Sequence, residues 1–582
     1  MAQQVGQLKA FILCLCGALV LAPVAQAQTA AEPVVAGYAR TLPVVAKNGM
    51  VVAQEAEAAR IGVDVLKRGG NAVDAAVATA FAMAVTFPRA GNLGGGGFML
   101  VHLANQKKTI AIDYREVAPA AMTKEIFLDA SGKFVPEKAQ ASGLGVGVPG
   151  TVAGLYLAHQ KYGSGKIEFG ELVRPAMLLA RDGIVAQGDL LTSLQEVKAR
   201  LDKWPSTRVV FQNKDGSALR EGDILVQADL ATTLWRVYQR GPQGFYEGET
   251  AERIVNAVRN AGGIMGTDDL RDYKAVEREV VRGTYRGREI VSMPPPSSGG
   301  VHIVQLLNIL EGYDLKKSGA NSAQTIHMMT EAMKLAYADR EKYLGDPDFV
   351  KNPVTGLTSK KYANDLRARI SLERATPSKD IRAGDPLPYE SDQTTHFSVI
   401  DKDGNAVANT YTLNFSYGLG LVAAGTGVML NNELDDFAAT VGAPNAFGLM
   451  GGDANAPESR KRPLSSMSPT MVFKDGQLDL ITGSPGGSRI ITTVLQVISN
   501  IVDHGMNVAE ASEAVRVHHQ LYPDELRVER GLSPDTISLL EKKGHTVREQ
   551  KAMGSTQTIQ RVNDEIHGAA DTRQTGTAAI GY

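Results

Sequence analysis

Three polar side chains at the open end of a predicted β-hairpin have the types and spacing to support nucleophilic chemistry. The segment 394–414 contains two β-branched, alternating runs separated by a turn at residues 402–404. The glycine of that turn supplies the left-handed backbone that a tight hairpin needs. If the strands pair symmetrically about the turn, Thr394 lies opposite Thr412, and Asn414 lies on the same face. The hairpin therefore predicts a cluster of two hydroxyls and one amide.

The chemistry open to Thr394 depends on the peptide bond before it. A threonine hydroxyl is a weak nucleophile, but cleavage of the Gln393–Thr394 bond would free an α-amine, with a pKa of about 8, to serve as its base. In this hypothesis the Thr394 hydroxyl attacks the preceding carbonyl, water resolves the ester, and Thr412 holds the nucleophile's rotamer. A polar, proline-bearing connector, residues 373–393, leads into the hairpin. The alternative is purely structural, because β-branched residues are common in strands.

Three further segments place functional groups downstream of the hairpin. Residues 431–437 carry three closely spaced carboxylates after an apolar run, and residues 461–469 combine basic residues with serines. Gly486 and Gly487 precede a helical pattern, and glycines at a helix N-terminus expose backbone N–H groups of the kind that form oxyanion holes. Taken singly, each segment also has an ordinary interpretation as a loop, a turn or a helix cap.

The joint pattern resembles a single family. Four C-terminal segments resemble the small subunit of bacterial γ-glutamyltranspeptidases, which are N-terminal nucleophile hydrolases: residues 394–414, 431–437, 451–470 and 482–493. Four upstream segments resemble the large subunit of that family: residues 71–100, 113–123, 145–155 and 293–300. The resemblance extends from about Ala36 to Tyr582 and so includes nearly the whole chain.

The resemblance implies a role for each candidate residue. The nucleophile would be Thr394, oriented by Thr412, and the oxyanion hole would be formed by Gly486 and Gly487. Two groups of three side chains would bind the head of a γ-glutamyl donor: its α-carboxylate by Arg115, Ser465 and Ser466, and its α-ammonium by Asn414, Glu433 and Asp436. A guanidinium suits the first task because its fork matches a carboxylate. Without the resemblance, Arg115 beside Glu116 would be interpreted as a structural ion pair.

A long aperiodic segment, residues 440–459, is rich in Gly, Ala, Asn and Pro. Loops of that length inside a compact domain are usually functional. The resemblance implies that this segment is a lid over the glutamyl pocket. Phe447 stands where many bacterial members of the family have tyrosine, so the phenol hydrogen bond would be missing. We therefore expect a looser gate and more hydrolysis relative to transfer.

The first 27 residues have the features of a signal peptide. Lys9 precedes an apolar run at residues 11–21, and residues 25–27 form an A-x-A cleavage site. The run is too short to span a membrane, so no anchor is expected in the mature form. Both cysteines lie in the removed piece, which leaves no disulfide. These features and the resemblance predict the periplasm, with secretion to the medium as the alternative.

Composition and resemblance together give the expected architecture. A net charge of −2 without long basic runs argues against a nucleic-acid partner. The resemblance implies an α+β fold, a four-layer αββα sandwich built jointly by a large subunit, 28–393, and a small subunit, 394–582. Helical patterns at residues 56–68, 72–86 and 323–343 agree with this in kind. No residue pattern calls for a metal or an organic cofactor.

The leading functional hypothesis is a γ-glutamyl transferase and hydrolase. It would take the γ-glutamyl group from glutathione and related amides, form an ester on Thr394, and pass the group to water or to an amino acid or peptide amine. The processed subunits would form a heterodimer. Two alternatives are a cephalosporin-type acylase with the same fold and an inactive periplasmic protein that binds γ-glutamyl compounds. The presence of Thr394 and Thr412 argues against the second.

Overall fold

Short strands with buried, largely apolar side chains form the centre of the protein. The computed structural model describes residues 41–385, 395–440, 446, 449 and 452–582. The predicted signal peptide 1–27, the proposed nucleophile Thr394 and the proposed lid residue Phe447 lie outside these residues. The described strands are β1 Val44–Ala46, β2 Met50–Ala53, β3 Gly96–Leu103, β4 Lys108–Tyr114, β5 Ile184–Val185, β6 Ile224–Leu225, β7 Val276–Arg278, β8 Val281–Tyr285, β9 Arg288–Ser292, β10 Thr395–Ile400, β11 Ala406–Thr412, β12 Val422–Ala423, β13 Val428–Met429, β14 Thr470–Lys474, β15 Gln477–Thr482, β16 Val517–His518, β17 Leu526–Glu529, β18 Val547–Gln550, β19 Gln557–Val562, β20 Glu565–Ala570 and β21 Ala578–Gly581.

Helices cover the outer faces of the sheets. The described helices are α1 Ala56–Lys67, α2 Ala72–Thr86, α3 Pro136–Gln140, α4 Thr151–Tyr162, α5 Phe169–Asp182, α6 Asp189–Glu196, α7 Lys198–Leu201, α8 Pro205–Phe211, α9 Ala228–Arg240, α10 Gln243–Tyr246, α11 Gly248–Asn260, α12 Thr267–Arg271, α13 Gly299–Leu310, α14 Leu315–Ser318, α15 Ala323–Tyr343, α16 Val354–Leu357, α17 Lys360–Arg367, α18 Arg489–Val502, α19 Val508–Glu513 and α20 Pro534–Lys542. The predicted helices correspond to α1, α2 and α15 and are confirmed. Among the described helices, none combines the length and the apolar character that crossing a membrane requires.

Two seven-stranded sheets organise the chain. The first sheet has the order β1-β20-β19-β15-β14-β9-β8, and the second has the order β21-β2-β10-β11-β3-β4-β7. Neighbouring strands in both sheets pair antiparallel wherever their register is defined. Each sheet combines strands from both sides of the predicted cleavage point. Cleavage there would therefore leave two fragments that remain interleaved through backbone hydrogen bonds.

Three apolar cores show that the molecule has four layers. Between the sheets, side chains such as Met50, Phe98 and Met471 pack face to face. Outside the second sheet, a core joins its strands to α1, α2, α4, α5 and α9. Outside the first sheet, another core joins its strands to α13, α15 and α18. This arrangement confirms the predicted αββα sandwich, because each sheet buries one face against the other sheet and one against helices.

The helix α2 lies in the middle of its layer. Every residue of its sequence AVDAAVATAFAMAVT is buried, so the helix shows no polar stripe. Its start is fixed by a capping box, in which the Asn71 side chain accepts from the Asp74 N–H at 3.0 Å and Asp74 accepts from the Asn71 N–H at 3.0 Å. The apolar helix therefore contributes its side chains to the hydrophobic core behind the hairpin strands.

The hairpin register agrees with the sequence-based prediction. Strand β10 pairs with β11 so that Thr395 faces Tyr411 and Ile400 faces Ala406. At the turn, the Asp401 N–H donates to the Asn405 carbonyl at 3.0 Å, and Gly404, the residue before Asn405, has a φ of 83°. Every described pair keeps this register, and extending it by one residue predicts that Thr394 pairs with Thr412.

Candidate active site

The end of the hairpin opens into a cleft. Thr412 is the last residue of β11, and its Oγ1 accepts from the Asn414 N–H at 2.8 Å. This contact holds Asn414 at a φ of 71°, a conformation that asparagine tolerates better than most residues. Its Nδ2 donates to the Asn432 carbonyl at 2.9 Å, while its buried Oδ1 has no hydrogen-bond partner. Thr412 and Asn414 both line a cleft of about 540 Å³, so this acceptor is available to a ligand with N–H groups.

Two glycines border the cleft at the start of a helix. Gly486 and Gly487 have φ values of 133° and 68°, in the region that favours glycine. They precede α18, so the positive end of a long helix dipole lies on this side of the molecule. Gly486 lines the same cleft as Thr412. Backbone N–H groups and a helix N-terminus are suited to stabilising a negative oxygen.

His396, two residues after Thr394, is uncharged at neutral pH. It is fully buried and its Nδ1 and Nε2 lie 2.9 Å from Thr410 Oγ1 and 3.1 Å from Ser398 Oγ. Burial lowers the pKa of the His396 imidazole to about 3. The ring also packs against Gly483, where a Cβ atom would lie 2.4 Å from it. His396 therefore fills space and orders hydroxyls rather than carrying charge beside the nucleophile position.

Arg115 is the centre of a buried ionic cluster. It follows β4 directly, and its side chain is completely buried. The guanidinium donates to Glu433 and, at 2.6 Å, to Asp436, which both belong to one 3₁₀ turn. It also donates to the carbonyls of Pro463 at 2.9 Å and Leu464 at 3.1 Å. Carboxylates of one segment and carbonyls of another therefore converge on one cation.

The cluster contains more carboxyl groups than cationic groups. A third carboxylate, that of Glu116, lies 3.7 Å from the Arg115 guanidinium and is also buried. Burial raises the pKa of Glu116 to about 7, although the Arg115 charge opposes the shift. Burial likewise raises the pKa of Glu433, again opposed by Arg115. Three buried carboxylates share one guanidinium, and burial favours the protonated forms of Glu116 and Glu433, so a ligand ammonium placed here would favour their ionised forms.

The two serines lie next to this cluster in the chain and are held by separate contacts. Ser465 donates its N–H to the Pro296 carbonyl at 2.8 Å, and its Oγ accepts from the Met467 N–H at 3.2 Å. Ser466 Oγ accepts from Arg340 at 2.8 Å. Sequence analysis did not identify Arg340, which lies 126 residues from Ser466 on α15. Its position beside the serines is visible only in the folded chain.

The predicted site residues thus form two adjoining groups. Thr412, Asn414 and Gly486 line the cleft, whereas Arg115 and the residues that it binds are buried. The two groups are joined by the hydrogen bond from Asn414 Nδ2 to the carbonyl of Asn432, the residue before Glu433. In this structure Arg115 already binds protein acceptors, so a ligand carboxylate would have to exchange with one of them. Thr394 and Phe447 belong to the predicted site but lie outside the described residues.

One group of described side chains has the spacing of metal ligands: His327, Glu331 and His545. Its atoms are bound within the protein. His327 Nδ1 lies 2.8 Å from His545 Nε2, and His327 Nε2 lies 2.7 Å from the Ser371 carbonyl. Glu331 accepts from Lys334 at 2.9 Å, which places a cation beside any metal. These contacts favour a hydrogen-bond network over a metal centre.

Asp435, between the two acids that bind Arg115, gives a pH-dependent prediction for stability. Burial raises the pKa of its carboxyl to about 6, opposed by a hydrogen bond from Gln140. Between the ordinary carboxyl pKa and about 6 only the folded chain keeps the proton, so stability falls as the pH rises through that window. We expect Asp435→Asn to increase the free energy of unfolding at about pH 8 by on the order of 2 kcal/mol, with little effect at about pH 4.

Urea denaturation at both pH values measures this effect. The control is Asp453→Asn, at a largely exposed residue that forms a surface ion pair with Lys124. That variant should change stability little at either pH. An equal effect of Asp435→Asn at both pH values would show that the carboxyl does not titrate in this window.

Comparisons with known proteins show sequence similarity over nearly the whole chain. The profile of the family described as Gamma-glutamyltranspeptidase matches residues 58–581. The glutathione hydrolase proenzyme of Escherichia coli (strain K12) is 54% identical over 542 residues, which cover 93% of this chain and 93% of that protein. Among solved structures, a cephalosporin acylase from Bacillus halodurans has a TM-score of 0.82 at 27% identity, covering 95% of this chain and 98% of that chain. The γ-glutamyltranspeptidase of Helicobacter pylori has a TM-score of 0.55 at 44% identity, covering 56% of this chain and 93% of that chain.

Proposed function

The chain belongs to the γ-glutamyltranspeptidase family, and from that premise we propose that Thr394 carries the γ-glutamyl group during catalysis. The protein is an enzyme that transfers or hydrolyses γ-glutamyl groups, and it is made as a proenzyme that cleaves itself. The processed enzyme has two subunits and acts on glutathione-like substrates. The proposal concerns the residues that perform these steps.

Self-cleavage and turnover use the same nucleophile in this mechanism. The Thr394 hydroxyl attacks the Gln393 carbonyl, an ester replaces the peptide bond, and water releases the upstream fragment. The freed α-amine then accepts the hydroxyl proton when Thr394 attacks a γ-glutamyl amide. The observation that supports this proposal is the hairpin register: extended by one residue, it would pair Thr394 with Thr412, which lines the cleft. Gly486 and Gly487 would stabilise the oxyanion.

Recognition of the donor depends on its two charged head groups. We assign the α-ammonium to Asn414, Glu433 and Asp436, because the Asn414 side-chain oxygen has no hydrogen-bond partner and the cluster behind it holds three carboxylates for one guanidinium. We assign the α-carboxylate to Arg115, with the hydroxyls of Ser465 and Ser466 as further donors. Arg340 would orient the Ser466 hydroxyl, to which it donates a hydrogen bond. Together these contacts place the γ-carbonyl beside Thr394. An α-linked peptide lacks one of the charges and should be rejected.

The two other hypotheses differ from this one in the ligand and in the chemistry. A cephalosporin-type acylase shares the fold, and the TM-score of 0.82 to such an enzyme reflects that. A TM-score describes backbone arrangement, whereas the head-group residues decide which acyl group is accepted. The family assignment and the ionic cluster around Arg115 both favour a γ-glutamyl donor. A binding protein without catalysis would have no need of a nucleophile, whereas this sequence keeps both Thr394 and Thr412.

The proposal is tested with the purified protein and two measurements. Intact-mass spectrometry and N-terminal sequencing should find two fragments, the smaller beginning at Thr394. Incubation with glutathione should release glutamate, and added dipeptide amines should divert part of the γ-glutamyl group into new amides. Release of an acyl group from a cephalosporin side chain, without release from glutathione, would support the acylase instead. An uncut chain that binds glutathione without turnover would support the binding protein.

The lid gives a prediction about the fate of the ester. We expect Phe447→Tyr to raise the transfer-to-hydrolysis ratio by about 2- to 5-fold, because an added phenol hydrogen bond of about 1 kcal/mol would hold the lid closed against water. The ratio is measured from γ-glutamyl dipeptide and free glutamate formed in one reaction. Phe415→Tyr, at another aromatic residue that lines the cleft, is the control. An unchanged ratio in Phe447→Tyr would reject the role of this ring as a gate.

We also propose that the protein works in the periplasm after removal of residues 1–27. The apolar run at residues 11–21 and the A-x-A site support this, and secretion to the medium is the alternative. The subunits would then span residues 28–393 and 394–582. Cell fractionation with N-terminal sequencing of the larger fragment distinguishes the two locations and tests the first boundary.

A further inference from the structure

The connector upstream of the proposed cleavage site is fixed to helix α15 through its main chain. At Thr376 the N–H donates to Glu331 Oε2 at 3.1 Å, and the carbonyl accepts from Lys334 Nζ at 2.8 Å. Glu331 and Lys334 also bind each other at 2.9 Å and are both buried. A buried ion pair is costly unless its remaining hydrogen-bonding atoms are satisfied. Here the backbone of the connector satisfies them.

The same helix binds the connector again at Gly384. The Gly384 N–H donates to Asp339 Oδ1 at 2.8 Å, and its carbonyl accepts from Tyr343 Oη at 2.6 Å. Asp339 is fully buried, and its other oxygen accepts from Gln305 at 2.6 Å and Tyr362 at 2.8 Å. The carboxylate is therefore held in one orientation before it contacts the connector. Burial also raises the pKa of Asp339, to about 6.

A third contact of this type comes from the other side of the cleavage point. The Ser378 N–H donates to Asp524 Oδ2 at 2.9 Å, and its carbonyl accepts from Tyr522 Oη at 3.3 Å. Asp524 and Tyr522 belong to the part of the chain that becomes the small subunit. At three positions, then, one carboxylate and one donor side chain bind both polar groups of a connector residue. We name these six side chains the connector clamp.

Steric contacts at Gly384 show how closely the clamp fits. A Cβ atom added to Gly384 would lie 1.8 Å from the Tyr362 hydroxyl and 2.7 Å from the adjoining ring carbon. The backbone of Gly384 does not adopt a positive φ, so glycine is required here for close approach and not for conformation. Any side chain at this position would push the connector away from Asp339.

We propose that the connector clamp positions the chain for self-cleavage: Asp339, Tyr343 and their partners set the point from which residues 385–393 reach the nucleophile. This inference rests on the proposed role of Thr394. Fixing Gly384 would limit the conformations open to the chain between it and the scissile bond, so less entropy would be lost when the Gln393 carbonyl approaches the Thr394 hydroxyl. The clamp residues are positioning residues, because they bind main chain that precedes the scissile bond in sequence and do not themselves react.

The test follows self-cleavage of the full-length chain after cell-free synthesis, with denaturing gels and intact masses at successive times. The variants are Asp339→Asn, Gly384→Ala and the milder Tyr343→Phe. The control is Gly266→Ala, where an added Cβ meets nothing closer than 3.6 Å. We expect cleavage to slow by about 10-fold or more in the first two variants and by about 3-fold in the third. The control should cleave at the parent rate.

A second readout separates positioning from loss of the fold. Once cleaved, each variant should have kcat and KM values for glutathione within about 2-fold of the parent, because turnover no longer involves the connector. Unchanged cleavage rates in both Asp339→Asn and Gly384→Ala would overturn the inference. So would slow cleavage accompanied by an equal loss of kcat in the cleaved enzyme, which indicates general damage. A parent chain that stays uncut would instead refute the proposed function, and this inference with it.

Discussion

Replacing Thr394 with alanine should yield a chain that stays full-length and neither transfers nor hydrolyses γ-glutamyl groups. In the proposed mechanism one oxygen atom serves both reactions, because the hydroxyl attacks the Gln393 carbonyl during processing and the γ-glutamyl carbonyl during turnover. Loss of a covalent nucleophile costs about 10⁴- to 10⁶-fold in kcat in hydrolases of this mechanistic type. Intact mass and N-terminal sequencing measure processing, and glutamate release from glutathione measures turnover.

Two neighbouring substitutions serve as controls for this result. Thr394→Ser keeps the hydroxyl and should retain slow processing and partial activity. Thr395→Ser changes the next residue, whose hydroxyl binds Gln54 in the protein interior, and should be processed like the parent. Cleavage of the Thr394→Ala chain at the same peptide bond would show that another group is the nucleophile.

Replacing Arg115 with lysine should lower kcat/KM for glutathione by about 10²- to 10³-fold. The guanidinium binds two carboxylates and two carbonyls at once, and an ammonium on a flexible stem cannot reproduce that geometry. Disrupting a buried, hydrogen-bonded charge pair typically costs about 2–5 kcal/mol, which corresponds to this range. Because the proposed contact of Arg115 is to the unreacting head of the donor, KM should rise more than kcat falls.

The matched control is Arg516→Lys. Arg516 is also buried and binds a carboxylate, Asp571, together with the carbonyls of Met553 and Ser512. Its replacement should lower the stability of the protein and leave kcat/KM of the folded enzyme within about 2-fold of the parent. Equal losses of kcat/KM in the two variants would mean that Arg115 acts only through the stability of the fold.

Several features of this protein could be predicted from local sequence patterns. Helices α1, α2 and α15 follow from helical patterns in the local sequence, and the register of β10 with β11 follows from the turn that joins them. Residue patterns within a helix and the residue types in a turn depend on only a few neighbouring positions. The linear sequence therefore contains the information needed to place these elements. The four-layer sandwich was expected because of the family resemblance rather than from such patterns.

The environment of each site residue was decided only by the tertiary structure. Arg115 and Glu433 are 318 residues apart in the chain but are in direct contact. Asp436 and Glu116 lie beside the same guanidinium. Neither segment alone indicates that these charged groups form one buried cluster. Arg340 and the connector clamp were likewise absent from the sequence analysis. These contacts depend on strand order and on how α15 packs against both subunits. The sequence by itself therefore determined which residues could react, whereas packing across hundreds of residues determined the charge and the partners of those that the structure describes.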